Sequence, residues 1–260
     1  MTANYSGVGA FRAAIFEGKI TMNQATNTLA LSYTNSLVQS EAASSFLSSA
    51  GTETGRKAFL GNPEKFDSGV GPDITNAHIA LRDGVDTIAR LLNDATRNDV
   101  QRHEAAGVVA GRTVEALERA KAKIEERANY LLVAGQEDAQ ATFRLDPNRR
   151  FVQEKIMEYM VEQAGKPDGT MKLRELIKDD GEAAAVFANT KPYLLKMNAD
   201  NFRKLHFEAI ERHAPDAWTK MQNGAALTDL APKFDKTISA VRRSFYNPAI
   251  AAKASSRVQL

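Results

Sequence analysis

Apolar residues recur in steps of three and four through the middle of the chain. They are Leu81, Val85, Ile88, Leu92 and Ala95, then Ala110, Val114, Leu117, Ile124, Ala128 and Leu131. This is the period of a helix face and not the alternation of a strand. Between Ala95 and Ala110 the stripe weakens and carries Asp99 and His103. The pattern predicts either one rod over 75–134 or two helices broken around "NDATRNDV" (93–100). In the broken form Thr96 is the expected N-cap, with Asp99 at a capping-box distance. A continuous rod would be roughly 90 Å long at 1.5 Å per residue, more than a small core can cover. Its stripe, represented by Val114, Leu117, Ile124 and Leu131, is therefore expected to find partners as coiled coils and bundles do.

Proline placement divides the pattern. Residues 1–62 and 73–146 contain none, whereas Pro147, Pro167, Pro192, Pro215, Pro232 and Pro248 interrupt the remainder. A proline in a helix interior removes a donor and clashes with the preceding turn, at about 3 kcal/mol. Long helices are thus expected over 1–146, forming a bundle or arm, and a compact domain of short helices over 147–260. Asp146 followed by Pro147 is a start signal for a helix through "RRFVQEKIMEYMVEQ". Shorter helices are expected near 171–179, 181–189, 199–213, 215–223 and 229–246. The stretch 56–74, with Gly61, Gly69, Gly71, Pro63 and Pro72, is expected to be a loop. No alternating strand is found, so the expected fold is all-α.

The first fifty residues carry only four charges, Arg12, Glu17, Lys19 and Glu41, among many Ser, Thr and Asn. Apolar residues lie on more than one face there: Met22, Leu29, Tyr33 and Leu37 on one, Leu31, Val38 and Phe46 on another. A solvated helix usually has a strongly charged face. These residues are expected to be sandwiched between neighbours, in the same chain or in another subunit.

Composition removes several function classes. A formal net charge of +2 over 260 residues makes the whole chain no polyelectrolyte binder, so any such attraction has to be local. Without cysteine there is no disulfide, thiolate metal site or cysteine nucleophile. "MTANYSGVGAFRAAIFEG" has no cationic start followed by an apolar block, so no secretory signal is expected. The longest apolar stretches, such as "YLLVAG" and "AAAVFA", fall far below the roughly 18 residues a membrane span requires.

Motif chemistry is sparse. "AGKPDGTMKLRE" (164–175) resembles an EF-hand calcium loop, with Asp168, Gly169, Met171 and Glu175 at its positions 5, 6, 8 and 12. Ala164 and Lys166 stand where the first two oxygen ligands belong, so no calcium site is expected. The alternative is a Gly-ended helix and a "PDG" turn into the next. His206 and His213 are seven apart, whereas helical chelation of one metal uses a spacing of four. His103–Glu104 begins like HExxH, but Gly107 replaces the second histidine. "GVGAF" and "GVGPD" lack the third glycine and preceding strand of a phosphate loop. Glu115, Glu118, Glu125 and Glu126 alternate with Arg112, Arg119, Lys121, Lys123 and Arg127, the pattern of an ion-paired solvated face. No catalytic residue, metal ligand or cofactor is assigned.

The one charge-biased region is 231–260, where Lys233, Lys236, Arg242, Arg243, Lys253 and Arg257 face only Asp235, a balance of +5. Arg242, Arg243, Lys253 and Arg257 are the candidate partner-binding residues. With Phe245 and Tyr246 beside the arginine pair, a nucleic-acid contact is one role for them. The expected function is that of a non-enzymatic helical structural or assembly protein of a bacterial or bacteriophage complex, such as a virion or secretion component. It would act in the cytoplasm or within such an assembly as a homo-oligomer with protein partners. A protein translocated by a secretion or ejection apparatus and a nucleic-acid-binding adaptor are the alternatives.

Overall fold

The computed structural model describes residues 37–256. Most of the charge-poor N-terminal segment, and Arg257 of the tail, lie outside them. Among the described residues every regular element is a helix, so the chain is all-α. In order they are α1 (Glu41–Gly51), α2 (Glu53–Leu60), α3 (Gly71–Leu92), α4 (Asp99–Thr142) and α5 (Arg150–Ala164). Then come α6 (Gly169–Asp179), α7 (Gly181–Ala188), α8 (Ala199–His213), α9 (Pro215–Ser244) and α10 (Pro248–Ala251). Short 3-10 turns lie at Pro63–Lys65, Pro147–Arg149, Pro192–Leu195 and Ala252–Ser256.

The central stripe is broken, as one of its two forms predicts, but the cap is Asn98 and not Thr96. The Asn98 side-chain oxygen accepts the Gln101 amide at 2.9 Å, and the Gln101 side chain accepts the Asn98 amide at 3.0 Å. This reciprocal pair is a capping box. Thr96 is held instead by Asp94, whose carboxylate accepts its amide at 2.9 Å. The loop expected over 56–74 is shorter, because helix occupies both of its ends. Thr52 caps α2 by accepting the Gly55 amide, and α3 starts at Gly71 with Pro72 and Asp73 in its first turn.

Asp146 behaves as predicted, accepting the Asn148 amide at 2.9 Å, and Pro147 opens a 3-10 turn that leads into α5. The helices expected at 215–223 and 229–246 are a single 30-residue α9 with Pro232 inside it. Proline withholds one donor from the ladder there. Burial of Leu227, Leu230, Ala231 and Phe234 around it offsets the loss. The part of the chain after residue 147 is therefore not composed of short helices alone.

Packing divides the chain at 128/129 and 225/226, inside α4 and α9, whereas helix length alone divides the sequence at 146/147. One unit consists of 37–128 with 226–256. In it α1 and α2 pack on each other and on α3. A close approach is at Gly84 of α3, where an added Cβ would lie 2.5 Å from Thr113 Oγ1 and 3.0 Å from the Phe245 ring. Gly61 ends α2 with φ +82°, a conformation that favours glycine. Its carbonyl is bonded to His78 Nε2 at 2.9 Å. Arg56 closes the preceding helix, donating to the carbonyls of Ala50 and Gly51. Asp67 accepts two bonds from Arg127, at 2.8 and 3.3 Å, and so ties the 61–70 loop to α4.

The other unit is Asn129–Ala225. Its core gathers Ala139 of α4, Phe143 of the turn after it, Met160 of α5, Leu173 and Ile177 of α6, Phe187 of α7, Leu205 and Ile210 of α8, and Met221 of α9. Phe187 stacks on Phe202 with ring centroids 4.6 Å apart. Gly135 admits α9 against α4, since a Cβ there would meet Met221 Cγ at 2.6 Å.

Candidate functional site

Most of the residues singled out in the sequence lie among the described ones and have a definite place there. The stripe is interior to the chain: Leu117 and Ile124 have no exposed surface, and Val114 and Leu131 are buried. Of the basic group, Arg242 donates to Glu118 at 2.8 Å and Arg243 donates from Nε to the Ser239 carbonyl at 3.2 Å. Lys253 lies in the Ala252–Ser256 turn, and Arg257 is outside the described residues. Exposed ion pairs of the Arg242–Glu118 kind contribute about 0–1 kcal/mol. They still direct the guanidinium at a carboxylate of its own chain.

The histidines serve different elements. His103 is buried, and its Nδ1 accepts the Asn247 amide at 3.0 Å, which fixes the end of α9 against α4. His213 Nε2 is 2.6 Å from the Ile177 carbonyl, a bond between α8 and α6. His206 meets the edges of Phe143 and Phe202, with centroids 6.4 and 6.2 Å away. Among the described residues no group of three or more His, Asp or Glu side chains is placed to hold a metal. In the loop resembling an EF-hand, Lys166 is paired with Glu162 and Asp168 with Lys172, each at 2.9 Å. Gly169 packs so closely that a Cβ would fall 2.2 Å from the Gln163 carbonyl oxygen, which is reason enough for glycine there.

Burial lowers the pKa of both His78 and His206 from the ordinary value near 6.5. The unfolded chain then takes up these protons first as pH falls. The resulting stability is complete above about pH 6.5 and is lost as pH drops through the folded pKa values. Urea midpoints are expected to fall between pH 7.5 and pH 5.5, and to fall less in a His78→Gln, His206→Gln double variant. An equal fall in the double variant would assign the pH dependence to other groups.

A surface that the sequence does not single out is on α5. Phe151 is 71% exposed and Tyr159 47%, and Val152 is also exposed. At 100° per residue, these positions and Lys155 share one side of the helix, while Met160 faces the core. The Lys155 ammonium stands 5.8 Å from the Phe151 ring centroid. Tyr159 lies near Lys172 of α6, and the adjacent Met171 is exposed too. The sequence hides this face because "RFVQEKIMEYMVEQA" has apolar residues all round. Only the tertiary contacts select which of them turn inward.

Among the described residues no helix is long and apolar enough to cross a membrane. Comparison with protein-family models, with curated proteins and with solved structures finds no match to this chain.

Proposed function

We propose that this protein is a non-enzymatic helical assembly protein that associates with further copies of itself through the exposed side of α5. What supports the reading is the aromatic pair Phe151 and Tyr159, exposed on one side of a single helix together with Val152 and close to exposed Met171; Tyr130 and Tyr193 are also exposed, but on other elements. Aromatic side chains contribute large contact areas at low entropy cost and dominate interface energetics. The charges beside them are of both signs, Arg150 with Glu154 and Lys155 with Glu158. A two-fold pairing of this helix with its own copy can therefore set unlike charges against each other. A bacterial or bacteriophage complex, as a virion or secretion component, remains the setting proposed from composition.

Light scattering after size exclusion tests this directly. The native chain is expected to elute as an oligomer at micromolar concentration. A Phe151→Asp, Tyr159→Asp variant should be monomeric and still unfold cooperatively, with a thermal midpoint that, unlike that of the native chain, does not rise with protein concentration, since both positions are exposed and contribute little to the core. A native monomer at about 100 μM, or an oligomer untouched by the two changes, would remove α5 as the association face.

A further inference from the structure

A cavity of about 620 Å³ opens within the Asn129–Ala225 unit. Its floor is apolar and buried: Ala139 of α4, Phe143 just after it, Ile210 of α8 and Met221 of α9. Half-buried Phe207 and His206 form one wall. The mouth is polar and exposed, with Gln136, Gln140, Arg144 and Asn189. Gln136, Gln140 and Arg144 succeed one another at steps of four from α4 into the turn that follows it, so they line one edge of the opening. The volume falls inside the range of about 300–1,000 Å³ typical of small-molecule sites, and an apolar body with a few convergent polar groups is their usual construction.

The charge of the lining is one-sided. It contains an arginine and a histidine but no Asp or Glu. Asp138, the carboxylate on α4 between Gln136 and Gln140, is not part of the lining and holds Lys220. Among the described residues the Arg144 guanidinium makes no hydrogen bond or ion pair, in contrast with Arg149, Arg150 and Arg174, which each hold a glutamate. The His206 ring also makes no hydrogen bond among the described residues, and its contacts are with ring edges. Asn189 is fixed at the rim by donating to the Phe143 carbonyl at 2.8 Å and the Ala185 carbonyl at 2.9 Å.

We propose that this cavity binds a small organic acid, with its carboxylate at Arg144 and its aromatic or branched apolar body on Phe143, Ile210 and Met221. A guanidinium presents a planar fork of donors that matches a carboxylate. The body displaces water from the small apolar area that these buried side chains and half-buried Phe207 turn toward the opening. Gln140, one turn before Arg144, has an amide group to donate to the second carboxylate oxygen. A cation is disfavoured because no acceptor of full charge lines the opening. This site is separate from the α5 association face and stands or falls independently of it.

The test uses the full chain, naphthalene-1-carboxylate and its uncharged counterpart naphthalene-1-methanol. Isothermal titration should give one site for the acid, with a dissociation constant below about 1 mM. Arg144→Gln, a change at an exposed position, should weaken the acid about ten- to hundred-fold while altering the alcohol less than about threefold. Proton NMR of the native chain supplies a second readout, in which the acid should shift the His206 ring resonances, identified by their loss in His206→Gln. The proposal is overturned if the acid shows no binding at about 10 mM, if it binds without moving the His206 signals, or if Arg144→Gln leaves its affinity unchanged.

Discussion

Leu117→Asp is expected to unfold the unit built from 37–128 and 226–256, with no folded monomer released. Leu117 has no exposed surface, and Ile124 two turns on is equally covered. Truncating such a leucine to alanine costs about 2–5 kcal/mol. A carboxylate left there without a partner costs several kcal/mol more, or drives the helix from its neighbours. The total is comparable with the whole stability of a domain, about 5–15 kcal/mol. Urea titration followed by far-UV circular dichroism should show a large part of the helical signal already lost in water. A well-folded protein of lower mass would instead mean that the stripe joins subunits, as periodicity alone leads one to expect.

The second large effect is expected at Gly84. In an open helix Gly→Ala stabilises by up to about 1 kcal/mol through backbone entropy. Here the sign should reverse, because the new Cβ would be 2.5 Å from Thr113 Oγ1. Thr113 is buried and its hydroxyl donates to the Val109 carbonyl at 3.0 Å, so it cannot simply turn away. Phe245 closes the other side at 3.0 Å. Overpacking of this kind costs about 1–3 kcal/mol, and Gly84→Leu should cost more than Gly84→Ala. Adding Thr113→Ala should restore part of the loss in Gly84→Ala. A double-mutant cycle with no coupling between the two positions would show that α3 and α4 do not meet there.

What could be read in the sequence was what depends on neighbours along the chain. Asp146 with Pro147 marks a helix start because both signals act within one turn. The steps of Leu81, Val85 and Ile88 mark a buried face because the helix repeat alone brings them together. Thr96 was a reasonable cap by type, but Asn98 has Gln101 three residues on and closes the pair reciprocally. Pro232 misleads for the opposite reason. Its local cost is real, but it is offset by burial of Leu230, Ala231 and Phe234 against distant residues. The α5 face and the cavity were not legible at all. Choosing Phe151 over Met160 for solvent requires knowing what covers the helix. The cavity joins positions near 140, 189, 208 and 221, whose proximity no local pattern encodes.

The interrupted makeup of the first unit also imposes an order on synthesis. Residues 37–128 leave the ribosome well before 226–256, which supply Phe234, Ile238 and Phe245 to the same core. At about 5–20 residues per second, translation of Asn129–Ala225 alone takes roughly 5–20 s. Throughout that interval Gly84 and Thr113 lack the ring of Phe245, and the nascent segment holds apolar faces open to solvent. The core residues of Asn129–Ala225, by contrast, all lie between 139 and 221 and so emerge in one stretch. The later-made part of the polypeptide is therefore free to mature first, and the earlier-made part must wait for its final helix.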